Sequence, residues 1–190
     1  MSRADLVLAS ASPRRQQLLA QMGIEPDHIV ATNIDETPRS KELPRAYVAR
    51  MAAEKAAAGH ADGQYTLAGD TVVALGRRIL PKAETRADVE ACLKSLSGRA
   101  HTVMTAICVI SPDGLTGHRL SLSRVIVKRL DDRDIARYVL SDEGLGKAGG
   151  YGIQGYAGAF IKRINGSYTG IVGLPLWETE SLLTGMGYQS

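Results

Sequence analysis

The chain has few of the residues on which several protein classes depend. Only two of its 190 residues are cysteines, Cys92 and Cys108, and both lie in apolar runs. They predict core thiols, argue against a disulfide scaffold and favour a reducing compartment. The four histidines show no metal-ligand spacing and no partner serine pattern, and no Cys-x-x-Cys occurs. Zinc sites and the common nucleophilic triads are therefore not predicted.

Long apolar runs, aromatic residues and excess charge are also scarce. No apolar run approaches the roughly 20 residues of a membrane span, and "MSRADLVLAS" lacks the long apolar region of a signal peptide. We therefore expect a cytoplasmic protein with no membrane partner. The net charge of +3 and the aromatic content of 5% are low for a nucleic-acid-binding protein, but they permit anionic ligands.

The chain does contain strands and helices that interleave irregularly. This order predicts an α/β fold with a mixed, twisted sheet and flanking helices, in a single domain over residues 1–190. The expected strands span residues 5–9, 28–33, 65–75, 78–80, 101–110, 121–129 and 159–164. The expected helices span residues 13–22, 44–58, 85–96 and 131–140, and a last one starts at Pro175.

The motif "SPRR" places two cations where a helix disfavours them. Ser12 stands at the expected N-cap and Pro13 at the first helical position, so Arg14 and Arg15 lie at the positive end of the helix dipole. A bound phosphate would resolve the conflict, because free backbone N–H groups and guanidinium forks would then point at one anion. The alternative is a pair of solvated arginines tolerated at small cost.

Two further charges lie on apolar elements. Lys55 falls on the apolar stripe of helix 44–58, where it either extends along the stripe or reaches into a site as a cation. Asp70 lies mid-strand in "YTLAGDTVVAL" and needs cations, donors or a metal, unless it caps a neighbouring turn, with Gly69 marking a bulge. Thr71 faces the opposite side of that strand.

Three polar positions lie in loops. Glu36, in the acidic loop before "TPRS", is either solvated or a second hard oxygen ligand for Mg²⁺ or Mn²⁺ beside Asp70. Lys82 alone is typical of a surface lysine. The loop "GKAGGYGIQG" is either a flexible surface loop or a backbone that approaches a ligand closely, and Gln154 within it offers both a donor and an acceptor to a base edge.

Taken together, these residues resemble the Maf family of nucleoside triphosphate pyrophosphatases. The matching segments, in family order and over nearly the whole chain, are "LASASPRR", "IDE", "EKA", "GDTVV", "KAGGYGIQG", "INGSY" and "VGLPL". The resemblance implies a fold related to the inosine-triphosphate pyrophosphatase type, with two lobes around a cleft. The family's usual "GADT" is "AGDT" here, and its Gly-Lys-Pro is Pro81-Lys82-Ala83.

The resemblance also implies an activity and a set of site residues. The expected reaction hydrolyses a nucleoside triphosphate between the α and β phosphates and requires a divalent cation, Mg²⁺ or Mn²⁺. Asp70 matches the proposed general base, whereas Glu36, Lys55 and Lys82 match positions that serve metal, phosphates or both. Arg14, Thr71 and Gln154 match the positions associated with base preference, in the combination of the branch that acts on dTTP and UTP. A homodimer is also expected from the resemblance.

Two alternatives stay open on the sequence alone. One is a pyrophosphatase for 7-methyl-GTP or for non-standard nucleotides in general, including methylated pyrimidines. The other is a non-catalytic nucleotide-binding module that affects cell division. Against the module, a strand-embedded aspartate would repel phosphate unless a metal were present.

Overall fold

The computed structural model describes residues 4–189, and their centre is one mixed sheet. Its strands among these residues are β1 (Leu6–Leu8), β2 (His28–Ile29), β3 (Tyr65–Leu75), β4 (Arg78–Leu80), β5 (Ala100–Ile110), β6 (Thr116–Val127) and β7 (Ile161–Asn165). The strand order is β2-β1-β3-β5-β6-β7, and β4 pairs with β3. β1 runs parallel to β2 and β3, whereas the other pairs are antiparallel, which confirms the predicted mixed sheet.

The helices cover both faces of the sheet. They are α1 (Pro13–Gln21), α2 (Pro44–Gly59), α3 (Arg86–Leu96), α4 (Asp132–Leu140), α5 (Tyr168–Val172) and α6 (Leu176–Gly185), with a 3₁₀ helix at Tyr156–Phe160. Apolar residues of α2 pack on one face of the sheet, and leucines of α1, α3 and α6 pack on the other. Among residues 4–189, no helix is both long enough and apolar enough to cross a membrane.

Strand β3 carries side chains of opposite character on its two faces. Ala68 and Val72 pack in the cluster around α2, so Asp70 between them points to the same side. Leu67 and Val73 pack in the larger cluster on the other side, which Gly69 and Thr71 therefore face. We call the first side the acid face and the second the hydroxyl face of β3.

A gap in the pairing of β3 opens the sheet at this position. β5 covers one edge of β3 from Thr66 to Ala74. On the other edge β1 pairs with residues 65–67 and β4 pairs with residues 73–75. Residues 68–72 therefore have no strand partner on that edge within the described chain, and this leaves the edge around Asp70 and Thr71 accessible to other groups.

Most predicted elements lie where the sequence places them, and the differences have local causes. The expected strand 28–33 is reduced to His28–Ile29 at the sheet edge. The expected strand 121–129 begins earlier, at Thr116, because Ser111 N–H bonds to the Leu115 carbonyl at 2.9 Å and closes a short turn between β5 and β6. Helix α5 and the 3₁₀ helix are not predicted, since each is only five residues long and gives too short a pattern.

The helix starts follow the expected capping chemistry in part. Thr85 and Asp88 form a capping box at the start of α3. Ser12 is the N-cap residue of α1 and Pro13 opens the helix, as predicted, but the Ser12 side chain makes no capping hydrogen bond. The last helix begins at Leu176 and not at Pro175, which is its N-cap.

Candidate active site

One cavity of about 1190 Å³ opens at the gap beside β3. All the candidate residues from the sequence line it: Ser12, Arg14, Arg15, Glu36, Lys55, Asp70, Thr71, Lys82 and Gln154. They come from six separate stretches of chain, so the fold brings together charges that are each poorly placed on their own element. Their individual roles stay predictions.

A buried lysine joins two carboxylates on the acid face. Lys55 Nζ donates to Asp70 Oδ1 at 2.7 Å and lies 2.7 Å from Glu36 Oε1. The side chains of Lys55 and Asp70 are 11% and 12% exposed. Lys55 therefore does not extend along the apolar stripe towards solvent; it is the cation that a buried aspartate requires. The alternative of Asp70 as the cap of a neighbouring turn is not what the contacts show.

Helix α2 also positions the backbone of the acidic loop. The Tyr47 hydroxyl donates to the Glu36 carbonyl at 2.8 Å, and Arg50 donates to the Thr37 carbonyl at 3.1 Å. Burial would raise the pKa of Glu36, but the hydrogen bond and charge of Lys55, with smaller help from Lys82, lower it below its ordinary value. Glu36 is therefore held as a carboxylate at the cavity.

Arg15 is tied to protein groups on the hydroxyl face. Its Nε donates to the Gly173 carbonyl at 2.9 Å, and its Nη1 donates to Ser10 Oγ at 3.0 Å. Its Nη2 reaches Thr71 Oγ1 at 3.4 Å, which is long for a hydrogen bond. Burial lowers the pKa of this guanidinium, and the charge of Asp70 partly opposes that effect. The Arg15 guanidinium therefore mainly holds α1 against α5 and β3.

Gly69 makes room for that arginine and is not a bulge. The ladder between β3 and β5 runs without interruption through the pair Gly69–Ile107, so the alternative in which Gly69 marks a bulge is wrong. A Cβ at residue 69 would lie 3.3 Å from Arg15 Nε and 3.3 Å from the Ala106 carbonyl oxygen. The absent side chain lets the guanidinium lie across the strand.

The glycine-rich loop and the Lys82 segment form one wall of the cavity. Backbone hydrogen bonds join Ala83 N–H to the Lys147 carbonyl at 3.1 Å and Gly149 N–H to the Pro81 carbonyl at 2.9 Å. Gly149 has φ +66°, and a Cβ there would meet Val73 at 2.8 Å. The loop is therefore fixed to its neighbours and is not a free surface loop, and Gln154 is exposed on its cavity side.

Several cavity residues were not predicted from the sequence. Lys147 lines the wall beside Arg14, and its pKa is lowered first by burial and then by the Arg14 charge. Its position within "GKAGGYGIQG" was an available signal. The hydroxyl of Tyr151, in the same loop, lies 2.7 Å from Nε2 of the buried His101. That contact, like the role of Tyr47, depends on packing between distant elements, and no local pattern reveals it.

The donor set suits a hard divalent cation shared with a ligand. Glu36 and Asp70 offer carboxylate oxygens, and Mg²⁺ is commonly held by one or two carboxylates together with substrate phosphates and water. No three His, Cys, Asp or Glu side chains within residues 4–189 form a ready-made metal cluster. Five basic side chains line the same cavity: Arg14, Arg15, Lys55, Lys82 and Lys147. The arrangement suits a polyanion more than a lone metal ion.

Comparison with known proteins shows the family of this chain. The sequence matches the family described as Maf-like protein over residues 5–186. The dTTP/UTP pyrophosphatase of Caulobacter vibrioides is 56% identical over 186 residues, covering 97% of this chain and 96% of that protein. The dTTP/UTP pyrophosphatase of Hyphomonas neptunium is 56% identical over 186 residues, covering 98% of this chain and 97% of that protein.

Among solved structures, a HAM1 protein from Coxiella burnetii aligns with a TM-score of 0.45 at 18% identity, over 67% of this chain and 74% of that one. Because the family match spans nearly all of the chain, and full-length relatives share more than half of its residues, this protein belongs to the Maf family.

Proposed function

We propose that this protein hydrolyses dTTP and UTP to the nucleoside monophosphate and pyrophosphate. The main support is that every residue expected to bind phosphate, metal or base lines one cavity. Relatives at 56% identity over nearly their whole length are dTTP/UTP pyrophosphatases. Arg14, Thr71 and Gln154 form the combination that the family resemblance associates with this pyrimidine branch.

In this proposal the acid face and the loop wall hold the phosphate chain. Lys55, Lys82 and Lys147 provide cations around the carboxylates, and Arg14 extends this charge to the start of α1. Fixed cations of this kind bind a triphosphate and stabilise the charge that develops on a pyrophosphate leaving group. Pro13 has no N–H and Arg15 N–H bonds to the Ser12 carbonyl at 3.1 Å, so the backbone donor that the helix start offers is the Arg14 N–H. A bound phosphate therefore explains the position of Arg14, whereas Arg15 is bonded to Ser10 and Gly173.

The proposal includes a divalent cation, Mg²⁺ or Mn²⁺, held by Glu36 and Asp70. When bound, such an ion supplies positive charge to phosphate oxygens. Lys55 bonds to both carboxylates and fixes their position. In this proposal Asp70 also orients or deprotonates the attacking water. The two roles compete, because a carboxylate in contact with a cation is a weaker base.

A substrate panel tests the proposed function. The purified full chain is assayed with dTTP, UTP, CTP, ITP and 7-methyl-GTP, with and without MgCl₂, and the products are separated by chromatography. We expect dTTP and UTP to be the best substrates, with monophosphate and pyrophosphate as products and dependence on the metal. Preference for 7-methyl-GTP, release of orthophosphate and a diphosphate, or binding without turnover would each contradict the proposal. The cytoplasmic location and the homodimer stay predictions.

A further inference from the structure

We propose that Thr105, a buried residue on β5, sets pyrimidine specificity by fixing the direction of the Thr71 hydroxyl hydrogen. Thr71 then presents a hydrogen-bond acceptor to the cavity, and not a donor. This inference rests on the proposed function, because it assigns the way in which the same cavity distinguishes uracil and thymine from cytosine. Thr105 acts through Thr71 and is a positioning residue.

The hydroxyl hydrogen of Thr105 is committed to the backbone of α5. Thr105 is 1% exposed, and its Oγ1 donates to the Gly170 carbonyl at 2.7 Å. Gly170 lies near the end of the short helix α5, where carbonyls lose their helical partners. Leu174 N–H, four residues on, donates to the Thr169 carbonyl instead. The Thr105 hydroxyl is therefore the side-chain donor for this carbonyl.

The direction of the next hydrogen bond follows from this commitment. Thr71 and Thr105 are directly opposite each other in the antiparallel ladder, and their Oγ1 atoms are 2.9 Å apart. A threonine hydroxyl has one hydrogen and two acceptor lone pairs. Since the Thr105 hydrogen goes to Gly170, Thr71 has to donate to Thr105. Arg15, which can only donate, has its Nη2 3.4 Å from Thr71 Oγ1, which agrees with an oxygen that accepts.

An acceptor of fixed polarity distinguishes the pyrimidines. Uracil and thymine carry N3–H, a donor, whereas N3 of cytosine is an acceptor. Thr71 is partly exposed to the cavity and can accept from N3–H, but it has no hydrogen left for cytosine N3. Gln154 offers both a donor and an acceptor by rotating its amide, so it cannot make this distinction alone. A site that leaves polar groups unpaired against the wrong base discriminates strongly.

The hydroxyl face is also the end of the cavity that suits a base. Ile171, Val172 and Gly173 line the cavity there, and the Arg15 guanidinium is already bonded to Gly173 and Ser10. Lys55 and Asp70, which suit the phosphates and a cation, lie on the acid face. A nucleotide spanning the open edge of β3 would therefore place its base beside Thr71.

Three proteins test the inference: the wild type, T105V and T105S. Valine keeps the shape of threonine but frees the Thr71 hydrogen, whereas serine keeps the hydroxyl and the fixed direction. Calorimetry measures the dissociation constants of the α,β-methylene analogues of UTP and CTP. We expect the wild type and T105S to prefer the UTP analogue by about tenfold or more. In T105V the ratio of the two constants should fall towards one.

The ratio is independent of how much of a variant is folded, because both ligands are measured on the same preparation. An unchanged ratio in T105V would overturn the inference, as would loss of preference in T105S or a wild type that binds both analogues equally or not at all. Turnover of dTTP and UTP is measured on the same wild-type preparation. Preferential binding without turnover would refute the proposed function and leave the Thr105 inference standing.

Discussion

The two faces of β3 use neighbouring residues for opposite kinds of chemistry. On the acid face, Asp70 is joined by Lys55 to Glu36 in an ionic group that faces the cavity. On the hydroxyl face, Thr71 and Thr105 are neutral, and their hydrogens follow a fixed path to the backbone of α5. An ionic group suits phosphates, because charge attracts an anion without a strict requirement on direction. Neutral hydrogen bonds of fixed direction suit a base. In our proposal the strand thus separates binding of the phosphates from recognition of the nucleoside.

The largest expected effect comes from removing the carboxylate of the acid face. D70N keeps the size of the side chain but loses its charge, so we expect kcat/KM for dTTP and UTP to fall by about a thousandfold or more. Asp62, on an exposed turn away from the cavity, provides the matched control D62N. Near-normal turnover by D70N would eliminate Asp70 as a catalytic residue and remove the chemical contrast between the two faces.

The paired arginines give a second comparison, since they differ in what they touch. Arg15 bonds to Ser10 and Gly173, so R15A should lower both the melting temperature and the activity. Arg14 lines the cavity near Lys147, so R14A should raise KM by about tenfold while the melting temperature changes little. Thermal unfolding and steady-state kinetics of both variants check this. If R14A and R15A lowered the melting temperature equally, Arg15 would not be the arginine that stabilises the fold and Arg14 would not be the one that only binds the ligand.

Acid should destabilise the hydroxyl face before it affects Glu36. Burial lowers the pKa of His101 from 6.5 to about 4, so the native state binds fewer protons than the unfolded chain between these values. Stability is therefore lost as the pH falls from 6.5 towards 4, by about 3 kcal/mol at most. The lowered pKa of Glu36 removes stability only as the pH falls below its ordinary value of 4.5.

Urea unfolding of the wild type and H101L across this pH range measures the first of these effects. H101L should lose the slope between pH 6.5 and 4, because leucine does not titrate. His118 is exposed on β6, so the control H118L should keep the slope. A slope that persists in H101L would assign the acid sensitivity to other groups.

The smallest effect concerns the loop that carries Glu36. Y47F removes the hydroxyl that donates to the Glu36 carbonyl but leaves the ion pair with Lys55 intact. The Mg²⁺ concentration for half-maximal activity should rise by about threefold, with little change in kcat at saturating metal. Tyr156, whose hydroxyl accepts from Arg137, provides the control Y156F. An unchanged metal requirement in Y47F would show that the Tyr47 hydrogen bond does not position Glu36.

The sequence predicted the secondary-structure elements better than the contacts between them. Lys55 and Asp70 could be identified because charges on apolar positions are costly, and that cost requires partners. Their partnership needed the fold, since nothing in the local pattern places residue 55 against residue 70. Thr105 shows the limit most clearly, because a threonine in an apolar strand fits β propensity and raises no question until the register sets it opposite Thr71. Helix α5 was missed because its five residues give too short a pattern.

A crystal structure with Mn²⁺ and the α,β-methylene analogue of UTP tests the central claim most directly. The account predicts the triphosphate on the acid face, near Lys55 and Asp70, and the uracil on the hydroxyl face, with N3–H directed at Thr71 Oγ1. Anomalous scattering should place manganese at Glu36 and Asp70. A nucleotide bound in the reverse direction, with its base beside Asp70, or bound outside the cavity, would contradict the account.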